Sequence, residues 1–195
     1  YMLENHGFYH PSYHMVSGAS LGDSYVMAKL IKPEVAAQLR PFAEHNVIKV
    51  WQALQYLVQP NGEFAYPSGM DWGLHNYGQV HYYAFIATHF EDGRAATAER
   101  KLCKLLLERQ RINGDGRFIG ESVENNFYSE GVRARRVAIA WLHHKTNNFK
   151  KTTPASFPET FTKHFDDVGI IVHKSTNGFC SVSYGRKIMA LVIPA

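Results

Sequence analysis

Gly169-Ile170-Ile171-Val172-His173-Lys174-Ser175-Thr176-Asn177-Gly178-Phe179-Cys180-Ser181-Val182-Ser183-Tyr184 is the stretch on which the fold turns. Two short β-branched and aromatic runs flank Asn177-Gly178, and an Asn-Gly pair suits the left-handed backbone of a tight hairpin. Two antiparallel strands follow, and Arg186 to Ile193 reads as a third. Three strands alone make a marginal sheet. The sheet is therefore expected to continue, and both chain ends, one in a polar motif and one in a strand-like run, read as internal to a longer protein.

Upstream the period changes. Asn147 to Pro158 is polar, holds two prolines and reads as a linker. Before it the chain is helical in pattern. Residues 1–16 read as a loop, Ser17 to Ile31 as a helix whose Gly18 and Gly22 mark close packing, and Pro33 as the first turn of a second helix. Pro41 is expected to interrupt that helix. Val47, Val50, Trp51, Leu54, Leu57 and Val58 resume a spacing of three and four until Pro60-Asn61-Gly62. A long aromatic loop runs from Asn61 to about Gly73, then Leu74 to Phe90 reads as a helix. Arg94 to Arg111 carries the clearest apolar stripe, Ala95, Ala98, Leu102, Leu105 and Leu106, and Asn113-Gly114-Asp115-Gly116 ends it. Glu121 to Tyr128 is a polar loop leading into a helix from about Ser129 to His144.

This gives an α+β, multidomain reading: helical hairpins over residues 1–148, a linker over 149–158 and the start of an antiparallel sheet domain over 159–195. Successive antiparallel helices of this kind build hairpins that can close into an α/α toroid.

Composition narrows the class. Hydrophobic residues at 45% and charged residues at 19% describe a folded chain, not a disordered one. No apolar run reaches the roughly 18 residues of a membrane span. The formal charge of +4, with 11 histidines in reserve, suits an anionic partner. Basic residues are scattered and no recognition motif appears, so nucleic acid is not expected. Cys103 and Cys180 are too few and too far apart for a disulfide framework or zinc site, and read as buried free thiols. No Gly-rich phosphate loop follows a strand, so no nucleotide cofactor is expected. His75 and His81 are six apart, not the i,i+4 pair of a helical metal site. No cofactor is assigned, and a structural divalent metal in the sheet domain stays open.

Tyr (11) and Phe (12) are abundant, and many lie in loops rich in Gly, Asn and His, where ring faces can stack on sugars. Three such clusters recur. The first is Asn5, His6, Tyr9, His10, Tyr13 and His14. The second is Asp71, Trp72, His75, Asn76, Tyr77 and His81. The third is Asn125, Asn126, Tyr128, Glu130 and Arg133. The plainer readings stand beside these: Asn pairs as turn and cap residues, Arg133, Arg135 and Arg136 as a solvated helix face, and His143-His144 as cations placed at a helix C-terminus.

Helices, linker and antiparallel sheet in this order resemble the polysaccharide lyases of the chondroitin AC, hyaluronate and heparinase II/III-like type, which join an α/α toroid to a β-sandwich. At motif level the likeness lies in residues 5–30. There Gly7-Phe8-Tyr9-His10-Pro11-Ser12-Tyr13-His14 leads into Gly18-Ala19-Ser20-Leu21-Gly22, as a Gly-aromatic loop with His and Tyr enters a small-residue helix in those lyases. Where they open with Asp-Gly-Ser, this chain has His6-Gly7-Phe8.

The resemblance implies β-elimination on a uronic-acid-containing polysaccharide. The carboxylate is neutralised by Asn, Arg or His, a His or Tyr base removes the C5 proton, and an acid protonates the leaving C4 oxygen. On that analogy Tyr13, His14, His75, Asn76 and Tyr77 are candidate catalytic residues. His10, Tyr66, Asp71, Trp72, His81, Asn125, Asn126, Tyr128 and Arg133 are candidate substrate contacts. The partner is an acidic polysaccharide or oligosaccharide, and the location is periplasmic or extracellular. Two alternatives stay open: an α/α-toroid glycoside hydrolase, which needs paired carboxylates, and a non-catalytic glycan-binding protein.

Overall fold

A computed structural model describes residues 4–5, 8–70, 77–120 and 126–194, with the backbone alone for Glu4, Asn5, Asn126 and Phe127. The chain is an α+β protein. A short hairpin, β1 (Glu4–Asn5) and β2 (Phe8–Tyr9), precedes α1 (Pro11–Ile31), α2 (Pro33–Glu44), α3 (Val47–Leu54), α4 (Val80–His89), α5 (Gly93–Asn113) and α6 (Asn126–Thr146). Four strands then follow: β3 (Phe161–Phe165), β4 (Ile170–Ser175), β5 (Gly178–Ser183) and β6 (Met189–Pro194). They form one open antiparallel sheet in the order β3-β4-β5-β6. The described residues show neither a closed toroid nor a sandwich.

Several boundaries move from those the sequence predicts. α1 begins at Pro11, so Tyr13 and His14 are helical rather than in a loop. Proline is at home there, because a first-turn residue has no N–H bond to lose. Pro41 lies inside α2 instead of breaking it, and the break falls at Asn46, whose φ of 57° is left-handed. Pro41 forfeits the one ladder bond its own nitrogen would have donated to Ala37 O, and the helix ends three residues later. α4 starts at Val80, not Leu74, because Gly78 takes a φ of 78°, which no helix continues through. Tyr77 therefore does not share a helical face with His81, and residues 74–76 lie outside the described set.

α5 ends at Gly114 as the sequence predicts, and a capping carboxylate that the sequence reading did not use opens it. The Asp92 carboxylate accepts from Ala95 N at 2.8 Å, and Gly114 ends the helix at φ 74°. Its stripe Ala95, Ala98, Leu102 and Leu106 is buried. Cys103 is off that stripe and exposed, and Cys180 points to the opposite face of β5 from Phe179 and is half-buried, so both thiols are free but neither is buried.

α4 is the centre of the helical layer. All residues from Val80 to Thr88 are buried, as a helix apolar on every side requires. It packs on α1, α5 and α6. Gly22 permits the α1 contact: a Cβ there would stand 2.6 Å from Phe85 Cδ1.

The segment between α6 and β3 has no regular structure but is tied to the helices. Thr152 Oγ1 donates to Ala87 O at 2.7 Å and Asn147 Nδ2 to Thr88 O at 3.1 Å, satisfying last-turn carbonyls of α4. Ala155 N donates to Gly93 O at 2.9 Å.

In the sheet, Thr176-Asn177 is the loop between β4 and β5, with Ser175 paired to Gly178. β3 is a strand that the sequence did not announce, and β6 starts at Met189 rather than Arg186. Ile170, Val172 and Phe179 face the helices and join their core in one cluster, with Tyr56 edge-on to Phe161 at 5.2 Å. Ile171, Val182 and Val192 face outward, as one wet side of an open sheet allows. Among the described residues no helix is long and apolar enough to cross a membrane.

Candidate functional site

A cleft of about 570 Å³ opens between α1, the start of α4 and α6. The α1 wall is one helical face, Ser12, Val16, Ala19 and Asp23, with Tyr13 beside it. The α6 wall is another, Tyr128, Val132, Arg135 and Arg136. Gln79 and His81 close the floor from the N-terminus of α4.

Asp23 is 6% exposed and its Oδ2 accepts from Arg135 Nη2 at 2.8 Å. Burial nevertheless wins over the guanidinium, and the carboxyl is pushed up to about 6. Its Oδ1 has no partner. His81 Nε2 stands 4.0 Å from Asp23 Oδ2. Burial first, then Arg136 and Arg135, hold the imidazole well below its ordinary range, so it is neutral and this contact is not an ion pair. His81 Nδ1 is sealed from solvent without a partner. Nε2 is therefore the nitrogen left to meet anything in the cleft.

Behind this wall lies a second polar group. Arg136 Nη1 donates to Tyr77 O at 2.8 Å, and Gly78 N donates to Glu63 Oε1 at 2.9 Å. Burial pushes Glu63 up to about 7, against the backbone bond from Gly78 and the pull of Arg133 and Arg136. The Tyr77 ring is in cation–π range of two guanidiniums, Arg133 at 5.5 Å and Arg109 at 5.6 Å. Arg133 is 0% exposed and donates to Ser129 O at 3.1 Å, while its Nε and Nη2 are unpartnered. The solvated-face reading of these arginines is thus corrected. Arg133 is buried, Arg136 is half-buried, and exposed Arg135 is engaged with Asp23. Charge on the helix is tolerated inside because Glu63 and the Tyr77 ring sit opposite it.

An aromatic cluster supports the α1 end. The His10 ring lies 4.6 Å from Tyr13 and 5.2 Å from Tyr66, and Ser12 Oγ bonds Tyr66 Oη at 2.5 Å. His14 is 4% exposed, with Nδ1 3.2 Å from Tyr9 Oη.

The structure thus brings Tyr13, His81 and Tyr128 into one cleft, places His10 and Tyr66 beside it, and sets Tyr77 and Arg133 behind it. His14 is on the inner side of α1, away from the cleft lining. Asp71, Trp72, His75, Asn76 and Asn125 lie outside the described residues, as does the side chain of Asn126, which begins α6. Asp23, Arg135, Arg136 and Gln79 are cleft residues that sequence reasoning missed. Asp23 alone left a signal, a carboxylate inside a helix of mostly small and apolar residues. His143 is corrected too. Burial drives it down to about 3, so it is neutral and packed on Phe85, not an end-charge. Its neighbour His144 is raised by its bond to Glu99 at 2.7 Å.

Among the described residues no group of three or more His, Cys, Asp or Glu is placed to hold a metal ion. No family model, curated protein or solved structure matches the chain.

Proposed function

We propose that this cleft belongs to a lyase that cleaves uronic-acid-containing polysaccharide by β-elimination, with the six helices and the open sheet as parts of an α/α toroid and a β-sandwich. Its working place is the periplasm or the cell exterior. The observation that carries the reading is the lining: a neutral imidazole, two phenols and two guanidiniums converge, while Asp23, the one carboxylate on the described lining, is held by Arg135.

In the reaction, Arg136, Arg135 and Gln79 face the uronate carboxylate and stabilise the charge that builds on it. Neutral His81 accepts the C5 proton at Nε2. The electron pair of that C–H bond forms the C4–C5 double bond, the C4–O bond breaks, and Tyr13 donates its proton to the departing oxygen. Tyr128 offers a ring to the adjoining sugar. A glycoside hydrolase would need a second carboxylate across the cleft, and the described lining supplies none.

The test is a panel of hyaluronan, chondroitin, heparan, alginate and rhamnose–glucuronate polymers, read by near-ultraviolet absorbance of the unsaturated product. Tyr13→Phe and His81→Ala should each lower the rate about a hundred- to ten-thousand-fold with an unchanged circular dichroism spectrum. New reducing ends without absorbance would transfer the reading to hydrolysis. No product on any polymer would leave binding alone.

A further inference from the structure

A second cleft, of about 450 Å³, lies where the helices meet the sheet. Its walls come from the segment Val58 to Pro60, from α5, from the β4–β5 hairpin and from the end of β6. Lys101 and Lys174 both line it, with Glu159 as the one carboxylate on that lining. Neither lysine is closed by an ion pair among the described residues, and Lys174 is lowered first by burial and then by Lys101, with Glu159 partly offsetting.

Gln59, on the same lining, is 7% exposed. Its backbone is fully used, N donating to Glu63 O at 2.7 Å and O accepting from Gly62 N at 3.0 Å. Its side-chain Nε2 and Oε1 both lack a partner. Both atoms are sealed from solvent, so Gln59 forms the cleft's inner wall and the groups that can meet a ligand are those on its open side. Phe157 and Phe179 supply apolar wall beside it.

We propose that this junction cleft is a second saccharide subsite, in which Lys101 and Lys174 hold the carboxylate or sulfate of an acidic sugar and the Ser175 and Thr176 hydroxyls meet its ring hydroxyls. The identity of the polymer rests on the lyase reading, but the anionic-sugar site does not. Two ammoniums against one carboxylate select an anion, the Ser175 and Thr176 hydroxyls select a polyol, and the phenyl groups accept the sugar's C–H face.

The experiment is calorimetric titration of the intact chain with a glucuronate-containing hexasaccharide, in a Tyr13→Phe background so that the probe survives. Neutral maltohexaose is the control. Two equivalents of acidic hexasaccharide should bind, and Lys101→Ala/Lys174→Ala should remove one or weaken it about tenfold or more. Lys101 is exposed and Lys174 half-buried, and an unchanged circular dichroism spectrum of the double variant checks that its fold is retained. An unaltered titration in the lysine variant, or equal binding of maltohexaose, overturns the subsite. If elimination fails on every polymer while the lysine variant still loses an equivalent, the lyase reading falls and the subsite stands. If elimination proceeds and the titration is unaltered, only the subsite falls.

Discussion

His143→Phe should make the protein less sensitive to acid. His143 is 4% exposed, lies 5.3 Å from Phe85, and its Nε2 has no partner. Burial is the main reason its pKa falls from 6.5 to about 3, and His144, His89 and Lys29 add like-charge repulsion. The folded value is depressed, so the unfolded chain binds the proton first. The stability in question is fully present above pH 6.5 and is lost as pH falls toward 3. Each pH unit in that window is worth about 1.4 kcal/mol. From pH 7.5 to pH 5 this one group should cost about 2 kcal/mol, and the full descent about 5. Phenylalanine removes the titration and the orphaned nitrogen. Any packing cost of the larger ring is the same at both pH values and cancels in the comparison. Urea unfolding of parent and variant at pH 7.5 and pH 5 measures it, and His81, present in both, also cancels. Equal losses in the two proteins would refute the assignment of a buried, neutral His143.

Tyr82 and Tyr83 make a contrasting pair: Tyr83 Oη donates to Gly62 O at 2.8 Å, while Tyr82 Oη is buried without a partner. Tyr83→Phe should cost about 1–3 kcal/mol in urea unfolding, and Tyr82→Phe should be neutral or stabilising. Gly22→Ala drives a methyl into the Phe85 ring and should cost about 1–3 kcal/mol, whereas Gly18→Ala, 3.3 Å from Val47 Cγ1, should cost less; thermal melts of the two variants rank them. Asp23→Asn removes a carboxyl whose pKa is raised from 3.8 to about 6, so the parent loses stability as pH rises through that window. His143 and His81 are present in both proteins and cancel in the comparison, so between pH 4 and 6 urea unfolding should show the variant gaining stability relative to the parent, and a constant difference would argue that Asp23 is solvated.

Local chemistry was readable residue by residue. The Gly114 end of α5 and the Pro33 start of α2 follow from backbone preferences within a few positions, while the hairpin is where Asn177-Gly178 marked it but turns at Thr176-Asn177, with only Gly178 at positive φ. Gly18 and Gly22 announced a close helix contact without naming Phe85. β3 was hidden because Phe161-Thr162-Lys163-His164-Phe165 buries only its last residue, giving no alternation to detect. α4 was placed too early because its aromatic run continues past Gly78, and only the left-handed backbone there marks the true start.

The candidate site divides in the same way. Tyr13, His81 and Tyr128 were visible as residue types suited to sugar chemistry, yet nothing local says they face one cleft. Asp23, Arg135 and His81 come from three helices, and their meeting depends on how α1, α4 and α6 pack. Arg133 and Arg135 are two residues apart on α6, but one is sealed beneath Tyr77 and the other reaches Asp23 at the surface. Secondary structure is written in short-range backbone energetics, which neighbouring residues carry. Burial, and with it the charge state of His81, Asp23 and Arg133, is a property of the packed layers, because desolvation depends on everything that surrounds a group.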